Sequence, residues 1–353
     1  MATRPKRKPT GSLPATQLLE FLSRRRRALS PLLILTHDYP DPDALAAAFG
    51  LHYLAREAFG VESRIAYRGA IGRTENRAMV HILEIPARRL RADDLKRHRR
   101  VALVDTQPAF ENNPFPARRR ATLVIDQHPS STKPVAELAL VDPTCGATCV
   151  ILAQALLHAG LAIPKKLATA LVYGILSDTL DLYRASHRSI IDTYLHLVPR
   201  CDIRRLARIR NPVHSRRFFA TLARGIRDAV SRGPLIVSHL GPVESPDLVS
   251  ETAEFFLTYE KSRWALCTGR HQGKLHISLR TSGSRTSAGQ VLRDVSPDHR
   301  LAGGHGAIAG GSFVVGTQAT EEEWAAIEQD LQRQLTRRLR IPSKGGFRGP
   351  FSK

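Results

Sequence analysis

The chain has 353 residues, more than one compact domain usually requires, so we expect two domains. Hydrophobic residues make up 42% and charged residues 24% of it, which is typical of globular proteins and argues against a disordered or fibrous chain. No apolar run reaches the roughly 18–20 residues of a membrane helix, and the first residues lack the apolar core of a secretory signal. The sequence therefore predicts a cytoplasmic protein that does not bind membranes.

The charge balance is strongly basic. Lys and Arg number 53 against 32 Asp and Glu, a formal net charge of +21. The excess lies in two basic tails, 1–12 and 343–353, and in runs such as Arg24–Arg27 and Arg118–Arg120. Such a charge attracts polyanions, including nucleic acids. The alternative is that these arginines are only solvated residues on helix surfaces.

The four cysteines do not indicate a disulfide framework or a structural zinc site. Cys145 and Cys149 form one C-x-x-x-C pair, while Cys201 and Cys267 stand far apart. A structural zinc site would need a second close pair of ligands. We interpret them as small buried residues of a reducing compartment.

Apolar strands alternate with helices in the first half of the chain. Residues 15–29 predict an amphipathic helix, and PLLILTH at 31–37 has the length of a buried parallel strand. Further strands are predicted at 63–67, 99–106, 121–128 and 135–142, and helices at 44–59, 148–160 and 165–179. This alternation predicts a parallel α/β sheet, whose ligands bind beyond the carboxyl ends of the strands.

The second half has a different pattern. Helices are predicted over 187–232, and Gly233-Pro234 ends them. Strands at 234–240, 263–270 and 274–280, an acidic helix at 247–260, a glycine-rich segment at 301–315 and a helix at 321–339 follow. These elements predict a second, smaller α/β domain.

Potential metal ligands follow the predicted strands. His37, Asp41 and Asp43 form H-x-x-x-D-x-D in a loop stiffened by two prolines, between a strand and a helix. Crowded carboxylates repel one another unless a cation lies between them, and oxygen ligands with one imidazole suit Mn²⁺ or Mg²⁺. A single Asp after a strand is more often a turn or cap residue. Three further places carry such residues: Asp105, Asp126 with His128, and Asp178. Acids at four places in all are harder to explain as turn or cap residues.

Five motifs, in order from about residue 31 to 316, resemble those of the DHH phosphoesterases. They are THDYPDPDA, VALVDTQ, VIDQHPS, GILSDTLDLYR and the glycine-rich LAGGHGAIAGG, the last resembling the DHH-associated C-terminal domain. The resemblance is greatest to the NrnA-like subgroup, which cleaves very short RNAs and dephosphorylates 3′-phosphoadenosine 5′-phosphate. It implies a DHH domain over 29–200, a helical linker over 201–232 and a DHH-associated substrate domain over 233–342, with the basic tail and a short helix at 1–28 and a basic tail at 343–353. It also implies an active-site cleft between the two domains.

The resemblance implies a site with two Mn²⁺ ions, with Mg²⁺ as an alternative. His37, Asp41 and Asp105 would bind one ion, and Asp43, Asp105, the residue at 127 and Asp178 the other. Two such ions activate a water and bind the phosphoryl oxygens. The catalytic residues would be His128 at the scissile phosphate, Asp126 orienting that segment, and Arg184 bracing a carboxylate.

One departure from the family pattern concerns the second metal. The Asp-His-His of the family is Asp126-Gln127-His128 here, so an amide replaces a metal-binding imidazole. An amide oxygen is a poorer donor to Mn²⁺ than imidazole. The second ion is therefore expected to bind more weakly, to favour Mg²⁺ more, or to be replaced functionally by the first.

The glycine-rich segment of the second domain is a candidate substrate-binding element. Glycines permit close approach of a phosphate to the backbone, although such strings are often only turns. By its position in the family pattern the segment implies substrate contacts from Gly303, Gly304, His305 and Gly306, and Arg280 would add a phosphate-binding arginine.

These features predict a metal-dependent phosphoesterase that hydrolyses short RNA or DNA oligonucleotides or small nucleotides. A cyclic or linear dinucleotide phosphodiesterase is a close alternative. RecJ-type exonucleases carry extra domains, and the pyrophosphatases of the family carry a different C-terminal domain, so both are disfavoured. A binding protein that has lost catalysis through Gln127 is the alternative from another class. Dimers are common in the family, so a homodimer is also expected.

Overall fold

The computed structural model describes residues 13–283, 286–296, 301–342 and 345–351, and these form two six-stranded sheets in two compact units. We call Met1–Pro212 the N-terminal unit and Val213–Lys353 the C-terminal unit. Most of the two basic tails lies outside the described residues. No helix of the described part is long and apolar enough to cross a membrane. The α/β class with two domains, predicted from the sequence, is confirmed.

The N-terminal unit contains a parallel sheet in the order β3-β2-β1-β4-β5-β6. Its strands are β1 (Leu32–Thr36), β2 (Ser63–Tyr67), β3 (Ala87–Arg89), β4 (Arg100–Val104), β5 (Ala121–Asp126) and β6 (Ala136–Val141). β1 and β5 are buried along their whole length, because the sheet has apolar clusters on both faces. All carboxyl ends lie at one edge, so the residues after β1, β4 and β5 are brought together.

Helices of the N-terminal unit pack on this sheet. They are α1 (Leu13–Leu29), α2 (Pro42–Phe59), α3 (Thr74–Leu83), α4 (Asp94–Arg97), α5 (Thr148–His158), α6 (Lys165–Asp178), α7 (Arg188–Leu197) and α8 (Ile203–Arg210). α2 packs against α5 and α6 through small residues. A Cβ at Gly174 would lie 2.9 Å from Cys149 Sγ and 3.0 Å from Ala46 Cβ, so a larger residue there would separate the three helices. This close packing sets where α2, α5 and α6 meet behind the carboxyl edge.

The C-terminal unit contains a mixed sheet in the order β11-β12-β10-β9-β8-β7. β8 and β9 are parallel and the other neighbours antiparallel. The elements are α9 (Arg216–Arg227), β7 (Val230–Arg232), β8 (Leu235–Pro242), α10 (Asp247–Leu257), β9 (Trp264–His271), β10 (Lys274–Thr281), α11 (Ala288–Val295), β11 (Ala302–His305), β12 (Ile308–Val314) and α12 (Glu321–Arg338). α12 begins at a capping box in which Thr320 and Glu323 bond each other's backbone, as its acidic start predicts.

The structure differs from the sequence prediction at several elements. The segment 187–232 was predicted to be helical throughout, but its last residues form β7 and pair with β8. α3, β3, α4 and α11 were not predicted; β3 and α4 are short and mostly charged, with the sequences ARR and DLKR. Of the helices expected to link the domains, α8 belongs to the N-terminal unit and α9 to the C-terminal unit.

Candidate metal centre

Three predicted ligands, His37, Asp41 and Asp105, meet beyond the ends of β1 and β4. Nε2 of His37 lies 3.5 Å from Oδ2 of Asp105 and 3.8 Å from Oδ1 of Asp41. The other ring nitrogen, Nδ1, lies 2.7 Å from the Asp38 carbonyl oxygen and donates to it, which leaves Nε2 as the acceptor nitrogen. Ligand atoms of the three side chains lie within 4.8 Å of one another, so one cation can contact all of them.

Backbone geometry fixes two of these carboxylates. Asp41 is the N-cap of α2 and accepts a hydrogen bond of 3.0 Å from the Ala44 N–H, as its place before Pro42 favours. Asp105 has a positive φ of 59°, which turns the chain sharply after β4. Its Oδ1 accepts a hydrogen bond of 2.7 Å from the Thr148 hydroxyl.

His37 and Asp41 shift each other's titration. Burial opposes the charged form of His37, but its contacts with Asp105 and Asp41 outweigh burial and raise its pKa well above the usual value. Burial likewise favours the neutral form of Asp41, yet the hydrogen bond and charge of His37, with the Ala44 N–H, lower its pKa. Without a metal, the imidazole thus acts as the cation between two carboxylates.

Asp43 lies on the first turn of α2 and is completely buried. Its two oxygens accept hydrogen bonds of 2.7 Å from the backbone N–H groups of Thr148 and Cys149, at the start of α5. Burial, followed by the negative charges of Asp105, Asp178 and Asp41, raises the pKa of Asp43 well above its usual value. A carboxylate that is costly to ionise among other acids is one whose charge a cation would compensate.

Gln127 lies between Asp43 and Asp178. Its side-chain amide donates a hydrogen bond of 3.3 Å to Asp43 and a shorter one to Asp178, the last residue of α6. Burial and the charges of Asp41 and Asp105 raise the pKa of Asp178 well above its usual value. Gln127 thus occupies the place in which the family pattern has a metal-binding histidine.

His128 is held by Asp126 at the end of β5. Its Nδ1 lies 2.8 Å from Oδ1 of the fully buried Asp126, and the same oxygen accepts the His128 backbone N–H. This hydrogen bond is the main reason that the pKa of His128 rises to about 9. The side chain is 39% exposed, and its Nδ1 lies 3.6 Å from Oδ1 of Asp105.

The donor set fits divalent cations. Four carboxylates and one imidazole gather at one edge of the sheet, and Asp43 and Asp178 have raised pKa values because they crowd other acids. Oxygen ligands of this kind suit Mn²⁺ and Mg²⁺. Asp105, Asp126 and His128 form a second group whose ligand atoms lie within 4.8 Å of one another.

Two residues that sequence reasoning missed support this centre. Thr148 connects three ligand segments, because its hydroxyl donates to Asp105 and accepts from the Gln127 backbone N–H while its own N–H donates to Asp43. Gln107 donates its amide to Asp126 at 2.8 Å and to the His128 carbonyl at 2.7 Å. Gln107 ends the motif VALVDTQ, which was a usable signal, whereas nothing near Thr148 in the sequence indicates its role.

The remaining predicted residues are Arg184 in the N-terminal unit and five residues of the C-terminal unit. Arg184 is exposed, and the described part of the chain gives it no ion pair with the centre. Arg280, in the C-terminal unit, is buried and pairs with Glu254 at 3.1 Å. It lines a cavity of about 240 Å³ with His276, Gly310 and Gly311. Gly303, Gly304 and Gly306 lie in β11 and the turn that follows it, and the side chain of His305 lies outside the described part.

Gly304 needs to be glycine on steric grounds. Its φ is 145°, and a Cβ there would lie 2.2 Å from the Ile308 carbonyl oxygen. The close pairing of β11 with β12 therefore explains why a glycine occupies this position. The substrate-binding role of the segment stays a prediction.

Comparison with known proteins gives a family match over the first sheet. Residues 31–175 match the model described as the DHH family, N-terminal domain. The uncharacterised protein MJ1633 of Methanocaldococcus jannaschii is 33% identical over 322 residues, which cover 91% of this chain and 65% of that protein. A probable manganese-dependent inorganic pyrophosphatase of Streptococcus pyogenes is 25% identical over 157 residues, 44% of this chain and 50% of that protein. The chain thus spans about two thirds and one half of these relatives.

A solved structure resembles both units. The crystal structure of an exopolyphosphatase-related protein from Bacteroides fragilis matches with a TM-score of 0.70 and 14% identity, over 92% of this chain and 97% of that one. At this identity the likeness shows the fold alone. Residues 31–175 are thus matched by the DHH family, N-terminal domain, and this segment contains His37, Asp41, Asp43, Asp105 and His128.

Proposed function

We propose that this protein is a metal-dependent phosphoesterase that hydrolyses short oligonucleotides or small nucleotides. The observation that carries the proposal is the convergence of His37, Asp41, Asp43, Asp105 and Asp178 at the carboxyl edge of one parallel sheet. These residues come from three separate segments. Burial and the negative charge of neighbouring acids raise the pKa values of Asp43 and Asp178, so a bound cation would stabilise their ionised forms, and we infer that the cluster binds one.

The ligands divide into two groups in this proposal. His37, Asp41 and Asp105 would bind one ion, and Asp43, Asp105, Gln127 and Asp178 the other. Mn²⁺ is the proposed metal, in keeping with the name of the streptococcal relative, and Mg²⁺ is the alternative. When bound, two such ions lower the pKa of a water and neutralise charge on the phosphoryl oxygens.

The protein's own groups supply positioning and a proton. His128 carries a proton at neutral pH because Asp126 holds its Nδ1, and its exposed edge can donate to a phosphate oxygen or to the leaving oxygen. Gln107 fixes both Asp126 and the His128 backbone. Arg184, whose side chain is exposed, is the residue proposed to brace a carboxylate.

The proposed substrates are anionic and short. The net charge of +21 attracts polyanions, and the family resemblance points to very short RNAs and 3′-phosphoadenosine 5′-phosphate. Arg280 and the segment Gly303, Gly304, His305 and Gly306 are the proposed substrate contacts of the C-terminal unit. Cyclic and linear dinucleotides remain close alternatives, because the same centre would cleave them.

Hydrolysis of phosphoanhydrides is a second candidate function. It is favoured by the names of the streptococcal relative, a pyrophosphatase, and of the Bacteroides protein, which is exopolyphosphatase-related. Against it stands the C-terminal segment LAGGHGAIAGG, which resembles the DHH-associated domain. A third candidate, a nucleotide-binding protein without catalysis, is disfavoured because a binder has no need for so many clustered acids.

One assay separates these functions. The protein is incubated with Mn²⁺ and di- to pentanucleotides, 3′-phosphoadenosine 5′-phosphate, cyclic dinucleotides, pyrophosphate and polyphosphate. Turnover of the nucleotides that disappears in Asp105→Asn supports the proposal. Turnover of pyrophosphate or polyphosphate alone supports the second candidate, and tight binding without turnover supports the third. Light scattering on the same sample tests the expected homodimer.

A further inference from the structure

A small cavity lies beside the end of α6 that carries Asp178. Its volume is about 200 Å³, and it is lined by Tyr173, Leu176, Ser177, Leu180, Asp181 and Arg210. Ser177 directly precedes the proposed metal ligand Asp178 at the end of α6. The cavity is thus close to the metal centre, but none of its lining residues is one of the proposed ligands.

The cavity presents hydrogen-bond donors around one guanidinium. Arg210, in the last turn of α8, places Nη2 2.9 Å from Oδ2 of Asp181. Burial raises the pKa of Tyr173 to about 12, so its hydroxyl remains a donor at neutral pH. The Ser177 hydroxyl is a further potential donor. A guanidinium flanked by hydroxyls is a donor set that matches the oxygens of a phosphate.

The turn that carries Asp181 is strained. Leu180, Asp181 and Leu182 have φ values of 49°, 55° and 71°, so three successive residues other than glycine are in the left-handed region. Each such residue costs about 1–3 kcal/mol, whereas an exposed ion pair contributes about 0.2–1 kcal/mol. The side chains of Asp181 and Arg210 are 61% and 43% exposed, so the free energy gained from their ion pair is smaller than the conformational cost of the turn. The turn is held instead by backbone hydrogen bonds, from the Asp181 N–H to the Leu176 carbonyl oxygen and from the Arg184 N–H to that of Thr179, so Asp181 can leave Arg210 while the turn persists.

We propose that Arg210, with Tyr173 and Ser177, binds the terminal phosphomonoester of a short nucleotide substrate, and that Asp181 occupies the guanidinium until that phosphate displaces it. This inference rests on the proposed function, since it places the scissile phosphate at the metal centre and a second phosphate in the cavity. A terminal phosphate carries about −1.5 to −2 charges at neutral pH, more than a carboxylate. Asp181 is mostly exposed, so its release to solvent costs little.

Binding of matched dinucleotides by the Mn²⁺-loaded protein tests the proposal. The ligands are phosphorothioate-linked dinucleotides, which are cleaved slowly, with either a phosphate or a hydroxyl at the 5′ or the 3′ end. Isothermal titration calorimetry is expected to show tighter binding of a phosphorylated form, by about tenfold or more, which corresponds to about 1.4 kcal/mol. Equal affinities of phosphorylated and hydroxyl forms at both ends would overturn the proposal.

Two variants with opposite expected effects separate recognition from a structural role. Arg210→Gln is expected to abolish the preference for the phosphate. Asp181→Asn is expected to strengthen phosphate binding, because it removes the competing charge and Asn tolerates the left-handed region. Arg208→Gln, an exposed arginine of the same helix, is the control and should bind like the parent. If Arg210→Gln keeps the preference, or if both variants weaken phosphate binding together, the proposal is wrong.

The two proposals fail in different ways. If the parent hydrolyses no nucleotide but binds phosphorylated dinucleotides through Arg210, the proposed function is wrong and the phosphate site stands. If the parent hydrolyses dinucleotides with and without a terminal phosphate equally well and Arg210→Gln changes neither, the function stands and the phosphate site is wrong.

Discussion

The side-chain amide of Gln127 donates a hydrogen bond to the carboxylate of Asp178, and it also reaches Asp43 at 3.3 Å. In the family pattern a histidine at this position binds a metal ion. Here an uncharged amide links two carboxylates whose pKa values are both raised. Position 127 is thus where the chain departs from the family pattern that it resembles, and in the proposal this residue would contact the second metal ion.

We predict that Gln127→His tightens the binding of the weaker Mn²⁺ ion and preserves or raises phosphoesterase activity. Imidazole is a better Mn²⁺ ligand than an amide oxygen, and it cannot donate to both carboxylates as the amide does. Calorimetric titration with Mn²⁺ measures the change. Gln17→His, on the exposed face of α1, controls for binding by any added histidine. An unchanged affinity in Gln127→His would show that position 127 does not contact the metal.

Thr148→Val is predicted to weaken Mn²⁺ binding by about 10–100-fold, the usual effect of losing a residue that orients metal ligands. Valine keeps the shape but removes the hydroxyl that donates to Asp105 and accepts from the Gln127 N–H. The buried N–H left without an acceptor should also lower the free energy of unfolding by about 1–3 kcal/mol. Thr148→Ser retains the hydroxyl and should resemble the parent. Equal Mn²⁺ affinities of the valine and serine variants would contradict this role.

His128→Asn is predicted to lower kcat by about 10²–10⁴, as expected on removal of a general acid. The affinity for Mn²⁺ should stay unchanged, because the proposed role of His128 is to contact substrate. Steady-state kinetics and a Mn²⁺ titration on the same preparation measure both quantities. A loss of bound Mn²⁺ would instead assign His128 to a metal site with Asp105 and Asp126, whose ligand atoms also lie within 4.8 Å of one another.

Asp94 provides a pH-dependent test of stability away from the centre. Its hydrogen bonds to Arg88, of 2.8 and 3.0 Å, lower its pKa from 3.8 to about 2. Because the folded pKa is the lower one, the stabilisation is complete above about pH 4 and is lost as the pH falls through about 2. Asp94→Asn should therefore reduce the free energy of unfolding by about 2 kcal/mol at neutral pH, and by less as the pH approaches 2.

Denaturant unfolding at several pH values measures this effect. Asp93→Asn is the matched control, since Asp93 is exposed and its contact with Arg97 spans 3.7 Å. A loss in Asp94→Asn that is the same at pH 3 and pH 7 would show that the ion pair is not its source.

The sequence predicted the parallel sheet well because buried parallel strands are apolar on both faces. β1 and β5 stand out for that reason, and the polar residues after them were predicted to be the ligands that the structure brings together. α3 was missed because its buried residues, Asn76, Met79 and Leu83, include a polar one and lie among charged neighbours. The local order of apolar and polar residues predicts an element poorly where tertiary packing determines it.

Contacts between distant residues could not be predicted. Thr148 supports Asp105 from 43 positions away, and Arg210 meets Asp181 across 29. Leucine rarely adopts a left-handed backbone conformation, so the residue types at 180–182 do not predict the left-handed turn found there. Such features depend on how α5, α6 and α8 pack together, and a single sequence does not reveal that packing.

The central claim is that side chains from separate segments bind divalent ions together. The most direct test is a Mn²⁺ titration followed by electron paramagnetic resonance, with the parent and Asp105→Asn. We predict two ions per parent chain, the second weaker, with a spectrum of two coupled ions, because Asp105 would hold both in the proposed arrangement. Asp105→Asn should lose the coupling and most of the binding. A parent chain that binds no Mn²⁺, or an Asp105→Asn spectrum identical to that of the parent, would contradict the account.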